Sequence, residues 1–202
     1  MGTEKGYALI IGVEKLGNNY NIGGNGYLAQ PPNDATTIAN IVLKKGFATK
    51  LLLTEDATRK NVIDHIIDLS KIAKEGDLVF IYYSGHGSQV EADEKDEEED
   101  MMNEAWCLYD GLLIDNELHH LWRYFAAGLR IFFVSDSCHS GTMTKSCPVM
   151  PNSETKGNYL QPKYISHLLT KEIYSKNKVS YKKDFFMDQI LLQIPAKHQK
   201  TP

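Results

Sequence analysis

The sequence predicts an α/β domain built on a mainly parallel sheet. Three observations carry this expectation. Runs of strand length at Tyr7–Val13, Leu78–Tyr83 and Leu129–Val134 are continuously apolar or aromatic, as strands buried on both faces are. Helical stretches with one apolar face separate the early runs, giving a β-α-β-α-β order that right-handed crossovers close into a parallel sheet. The two later runs each stop at a cluster of small polar residues, Ser84-Gly85-His86-Gly87 and Ser135-Asp136-Ser137-Cys138. Loops leaving the carboxyl edge of such a sheet are where open α/β folds hold their ligands.

Tyr7–Val13 is the first strand, and a Gly/Asn-rich loop over Leu16–Gly26 comes after it. Asn33-Asp34 opens a helix with Ile38, Ile41 and Val42 on one face, ending near Gly46. Ala48–Leu53 is the second strand, and Arg59–Ala73 an amphipathic helix carrying Val62, Ile63, Ile66, Ile67 and Leu69. Leu78–Tyr83 is the third strand, bounded by Glu75-Gly76-Asp77 and Gly85. Residues 91–100 hold eight carboxylates and read as a solvated loop. Ala105–Tyr109 and Leu112–Ile114 flank Asp110-Gly111, a hairpin turn. Asp115 caps a helix reaching to about Ala126, and Leu129–Val134 is the fourth buried strand. Beyond residue 142 the chain turns polar and irregular, with helix expected over 164–176 and a short helix or strand over Phe185–Ile194.

The chain has 202 residues, 42% hydrophobic and 24% charged, with a net charge of −4. That suits one soluble globular domain and gives no reason to expect nucleic-acid binding. No apolar stretch has the length of a membrane span. Three cysteines, Cys107, Cys138 and Cys147, do not form an even disulfide framework. With no signal-peptide pattern after Met1, the expectation is a cytoplasmic, reducing compartment.

The chemistry lies in the two edge loops. In a parallel sheet both emerge on one side, so His86 and Cys138 can meet although far apart in sequence. A thiolate is a competent nucleophile, and a neighbouring histidine can take its proton and return one to a leaving amine. The Gly87 and Cys138 N–H groups are the natural donors to a developing oxyanion. The bland alternatives are a histidine in a tight turn, a helix N-cap for Asp34 and a turn former for Asp136. His139 reads as structural, Cys107 as a buried small hydrophobe, and His119 and His120 lack metal-site spacing. Cys147 has no evident partner.

His86 precedes Cys138 by 52 residues, and in caspases the histidine lies about 50 residues before the cysteine. YYSGHGSQ and then DSCHSG resemble the metacaspase branch of the caspase-like cysteine peptidases, from about Tyr7 to Thr142, including PNDA at 32–35 and LIDNEL at 113–118. The resemblance implies a caspase-like three-layer sandwich, with a catalytic core over 1–142 and a C-terminal segment over 143–202. It implies Cys138 as nucleophile, His86 as general acid/base, and cleavage of protein or peptide substrates after Arg or Lys. It also implies an acidic pocket at the positions matching Asp34, Ser84 and Asp136. Two carboxylates there would pair with a guanidinium and repel an acidic side chain.

The pattern breaks in two places. Calcium is bound outside the active centre in many such proteins, and the matching positions are Asn103, Asp115, Asn116 and Lys145. One aspartate and a lysine do not suit a cation that wants several oxygen ligands, so neither metal nor other cofactor is expected, and the acidic run over 91–100 is at best a weak substitute. Residues 143–202 also show no clear pair of apolar strands to complete the fold. Three explanations are open: a large fragment of a self-cleaved enzyme, a truncated piece, or a fold completed by a small-subunit chain. Lys171, Lys176, Lys178, Lys182, Lys183, Lys197 and Lys200 make the tail a target for self-processing. The competing readings are a related peptidase with another residue preference and a catalytically silent interaction module.

Overall fold

The computed structural model describes residues 4–20, 26–91, 102–137, 163 and 165–184. In chain order the elements are β1 (Gly6–Gly12), α1 (Pro31–Lys44), β2 (Ala48–Leu53), α2 (Arg59–Ile72), β3 (Leu78–Ser84), β4 (Gly87–Glu91), β5 (Met102–Cys107), β6 (Leu112–Ile114), α3 (Asp115–Trp122), β7 (Arg130–Asp136) and α4 (His167–Asp184).

Four strands form a parallel sheet in the order β2-β1-β3-β7. The alternation of side chains along a strand divides β1 and β3 between two cores. Ala8, Ile10, Phe80 and Tyr82 pack with Ala35, Ala39 and Val42 of α1. Leu9, Ile11, Val79, Ile81 and Tyr83 join the larger core, which takes in Val62, Ile63 and Ile66 of α2, Leu118 and Leu121 of α3, and Ile173 and Tyr181 of α4. Burial on both faces is why these strands read as unbroken apolar runs. A second, antiparallel sheet, β4-β5-β6, packs into the larger core through Ala105, Trp106, Leu112 and Leu113.

Four local expectations change. The first helix begins at Pro31, not at Asn33-Asp34, because proline fits the first helical position with its fixed φ and missing donor; Asp34 sits in the first turn and does not cap. Asp115 is likewise inside its helix; the Glu117 carboxylate accepts the Ile114 N–H at 3.1 Å instead, and the helix ends at Trp122. The strand ending in Asp136 is not buried like its neighbours. Among the described residues it pairs only with β3, and Phe132 is 58% exposed. The helix expected over 164–176 spans His167–Asp184. Strand β4 is an addition: its sequence, GSQVE, is too polar to read as a strand. The acidic run beyond Glu91 and the Phe185–Ile194 segment lie outside the described residues.

Candidate active site at the carboxyl edge of the sheet

The parallel register places Ser84 beside Asp136 at the ends of β3 and β7. Helix α1 brings Asp34 to the same edge. It lies tight on the end of β1: a Cβ on Gly12 would come within 2.7 Å of both the Ala35 methyl group and the Pro31 carbonyl. Three residues from three segments thus come to one edge of the sheet.

They meet around a side chain that the sequence does not single out. The Lys163 ammonium donates to Asp136 Oδ2 at 2.6 Å and to Ser84 Oγ at 3.0 Å, and lies 3.6 Å from Asp34 Oδ2. Ser84 Oγ donates in turn to Asp136 Oδ2 at 3.1 Å, and the Tyr82 hydroxyl donates to the same oxygen at 3.3 Å. Burial raises the Asp136 carboxyl pKa, but the Lys163 ammonium and the Ser84 and Tyr82 hydroxyls outweigh it, and the net shift is downward. Burial first, then the charge of Asp136, pushes the Tyr82 hydroxyl up to about 12, so it remains a donor. The two carboxylates that face the Lys163 ammonium are partly exposed, at 39% for Asp34 and 44% for Asp136.

His86 comes after β3, one residue past Gly85. The Tyr83 hydroxyl donates to the His86 carbonyl at 2.7 Å and to the Cys107 carbonyl at 2.9 Å, and the Cys107 N–H donates to the His86 carbonyl at 2.9 Å. A Cβ on Gly85 would lie 2.5 Å from the Tyr83 hydroxyl oxygen, so this glycine is required by the folded-back tyrosine. The imidazole is buried, with Nε2 2.7 Å from the Gly26 carbonyl. A carbonyl only accepts, so Nε2 carries the proton in the neutral ring. Nδ1 is then the basic nitrogen, and it is buried without a hydrogen-bond partner among the described residues. Burial lowers the His86 pKa; the Gly26 carbonyl opposes this and the Lys163 charge adds to it.

The Gly87 N–H, read from sequence as an oxyanion donor, donates to the Lys163 carbonyl at 2.9 Å. At the neighbouring strand end Trp106 stacks on Tyr83 with ring centroids 4.5 Å apart, and its indole N–H donates to Ser135 Oγ at 2.9 Å. Ser135 Oγ in turn contacts Ser137 Oγ at 2.8 Å. Cys138, His139 and Cys147 lie outside the described residues. Cys107 is fully buried and burial pushes its thiol pKa far up, which suits a structural role.

Three of the four positions matched to calcium ligands are described. The Asn116 side-chain amide donates to Asn103 Oδ1 at 3.0 Å, and Asp115 Oδ1 accepts the Asn116 N–H at 2.8 Å. Asp115 is the one carboxylate among these positions, and Lys145 lies outside the described residues. No described cluster of three or more His, Cys, Asp or Glu side chains could hold a metal. His119 and His120 lie on α3, and His120 Nδ1 bonds the Asn116 carbonyl at 2.6 Å. No described helix is long and apolar enough to cross a membrane.

Comparison with known proteins gives the family. The profile of the family described as "Metacaspase, peptidase C14 domain" matches residues 7–147. The chain is 34% identical over 173 residues to Metacaspase-1 of Mycosarcoma maydis, covering 79% of this chain and 40% of that protein. It is 28% identical over 159 residues to Metacaspase-6 of Arabidopsis thaliana, covering 74% and 42%. The chain thus spans about two fifths of the length of these relatives. The crystal structure of a protein from Geobacter sulfurreducens superimposes with a TM-score of 0.72 at 35% identity, over 98% of this chain and 67% of that one. The fold is the caspase-like α/β sandwich, with a mainly parallel sheet between helices, that the motifs imply. On its profile match, its relatives and its architecture, this chain belongs to the metacaspase family.

Proposed function

We propose that the protein is a cysteine endopeptidase that cuts protein or peptide chains after Lys or Arg, with Cys138 as nucleophile and His86 as its base. The observation that carries the reading is the grip on Lys163: a lysine ammonium between Asp34, Ser84 and Asp136, with the same residue's carbonyl on the Gly87 N–H. A substrate residue with a basic side chain would use the same two anchors. Its side chain would meet charge-assisted partners, and its carbonyl oxygen would face the donor that stabilises the oxyanion.

The tautomer of His86 supports the chemistry. With Nε2–H committed to Gly26, Nδ1 takes the Cys138 thiol proton. The sulfur attacks the scissile carbonyl carbon. The carbon–nitrogen bond breaks as the imidazolium returns the proton to the departing amine. Water then hydrolyses the thioester, giving a carboxylic acid and the free thiol. A lowered His86 pKa keeps the imidazole neutral and able to act as base near neutral pH. Self-processing in the lysine-rich tail belongs to the same reading.

The test is hydrolysis of fluorogenic peptides ending in Arg, Lys, Asn or Asp, with Cys138→Ala as control. Turnover after Arg and Lys that vanishes in the control is expected, as is tail shortening seen by intact mass only with Cys138 present. Turnover confined to Asn or Asp would overturn the pocket assignment. No turnover of any peptide, together with failure of an electrophilic peptide to label Cys138, would favour a silent binding module.

A further inference from the structure

We propose that Trp106 is a positioning residue for the reaction, a single ring that holds the start of the Cys138 loop against the His86 loop. The inference rests on the proposed Cys138–His86 pair and concerns what aligns it.

Trp106 belongs to one sheet by its backbone and to the other by its side chain. In the antiparallel ladder it pairs with Gly87 of β4 and Leu113 of β6. Its ring leaves that ladder and lies between Tyr83 of β3 and Phe133 of β7. The ring centroids are 4.5 Å from Tyr83 and 5.2 Å from Phe133, with interplanar angles of 14° and 7°. Strands β3 and β7 are parallel neighbours, and the chain leaves them toward His86 and Cys138. One indole, 2% exposed, therefore spans the two strands that lead to the two reacting groups.

Each side of the ring is tied to one loop. On the β3 side, the Tyr83 hydroxyl donates to the His86 carbonyl at 2.7 Å. The N–H of Cys107, the residue after Trp106, donates to the same carbonyl at 2.9 Å. On the β7 side, the indole N–H donates to Ser135 Oγ at 2.9 Å, and Ser135 Oγ lies 2.8 Å from Ser137 Oγ. Ser137 directly precedes Cys138 in the chain. Core packing alone asks for a flat apolar ring, which phenylalanine supplies. The indole adds a donor, and a buried donor needs an acceptor. Here the acceptor stands on the strand that leads to the nucleophile.

The geometry also says which kinetic constant should respond. Side chains alternate along a strand, so Ser84 and Asp136 point to the opposite face of the sheet from Tyr83 and Ser135. The clamp is thus separate from the acidic pocket and has no hold on KM. Misplacing reacting groups by about 1 Å costs on the order of 10²-fold in rate, so its effect falls on kcat.

The experiment compares the wild-type chain with Trp106→Phe, which keeps a ring and loses the donor, with Ser135→Ala, which removes the acceptor, and with both changes together. Arg-ending peptides report kcat and KM. Alkylation of Cys138 by iodoacetamide at neutral pH, read on that residue by mass spectrometry, reports the pair without turnover, with His86→Ala as the reference. Each single variant is expected to lower kcat by about tenfold or more, with KM within about threefold. The double variant should be no worse than either single one, because both break the same link. Cys138 alkylation should slow in each toward the His86→Ala rate. Unchanged kcat and unchanged alkylation in both single variants would overturn the proposal. So would a loss in Trp106→Phe that Ser135→Ala does not share, which would mark the tryptophan as packing alone. If Trp106→Phe does not fold, Ser135→Ala decides by the same two readouts. Slowed alkylation in variants of a chain that cuts no peptide would sink the peptidase reading and uphold the clamp. Alkylation indifferent to His86→Ala would refute the clamp, because there would be no pair to align.

Discussion

Replacing Glu117 by Ala should destabilise the protein through a residue distant from any chemistry. Arg59 is almost fully buried, with its side chain 3% exposed. Its guanidinium donates to both Glu117 oxygens at 2.7 Å and to the Leu112 carbonyl at 2.6 Å, and lies over the Tyr181 ring, 4.4 Å from its centroid. Removing the carboxylate strands a buried cation, which costs about 3–5 kcal/mol. It also releases the Ile114 N–H that Glu117 holds at the start of α3, worth about 1 kcal/mol more. For a chain of this size each kcal/mol moves Tm by about 2–4 °C, so a fall of about 8–24 °C is expected. Urea unfolding gives the free energy directly. The double variant Arg59→Met/Glu117→Leu should recover most of the loss, because an apolar pair avoids the desolvation of two ions. A loss below about 1 kcal/mol in Glu117→Ala, or a double variant no better than the single one, would refute the argument that the buried charge sets the cost. Because Arg59 also stacks on Tyr181 of α4, the single variant is expected to loosen that helix first, seen as faster amide exchange over His167–Asp184 than over β1.

Two further outcomes are expected of the His86 loop. The fold favours the neutral His86 ring, through burial first and the Lys163 charge in addition, against the Gly26 carbonyl. The unfolded chain takes up a proton near pH 6.5 and the folded one only at lower pH. This residue's contribution to stability is therefore present above about pH 6.5 and is lost as pH falls from there toward the folded pKa. NMR titration of the ring should show the lowered pKa and a proton on Nε2; an Nδ1–H tautomer would remove the proposed base. Gly85→Ala should cost about 1–3 kcal/mol, since its methyl would meet the Tyr83 hydroxyl at 2.5 Å. It should also lower turnover more than Tyr83→Phe does, because the phenylalanine removes two hydrogen bonds without adding a clash. A neutral Gly85→Ala would show that the loop has room the geometry denies it.

The parallel sheet is legible in the sequence because its inner strands are buried on both faces, which leaves a continuous apolar signature in β1 and β3. The same signature misleads at β7. LRIFFV has the composition of an inner strand, but Phe132 is exposed and no described strand lies beyond it. Composition reports what a strand can pack against, not what packs there. Strand β4 escapes notice for the converse reason: GSQVE owes its extended form to pairing with β5, not to its own pattern. Asp34, Ser84 and Asp136 are singled out by the family resemblance, not by the pattern of elements, and the structure sets all three around the Lys163 ammonium. Gly85 is legible as a special position, but its cause, the Tyr83 hydroxyl, is tertiary.

Lys163 lies past the reach of sequence patterns and shapes how the site can be tested. Nothing in QPKYIS separates it from the other lysines of the tail. Its role depends on Ile165 and Thr170 tying the segment to β4, contacts between residues about 80 positions apart. The carboxylates that would select a basic substrate are the ones that hold this lysine. On the proposed reading, Asp136→Asn should weaken the hold on Lys163 as well as on a basic substrate, and the two effects act on KM in opposite directions. A modest change in that variant would not mean that the pocket is unimportant. The lysine is on one side of this balance only. Changing Lys163 leaves the carboxylates of Asp34 and Asp136 in place, so its effect is read apart from theirs.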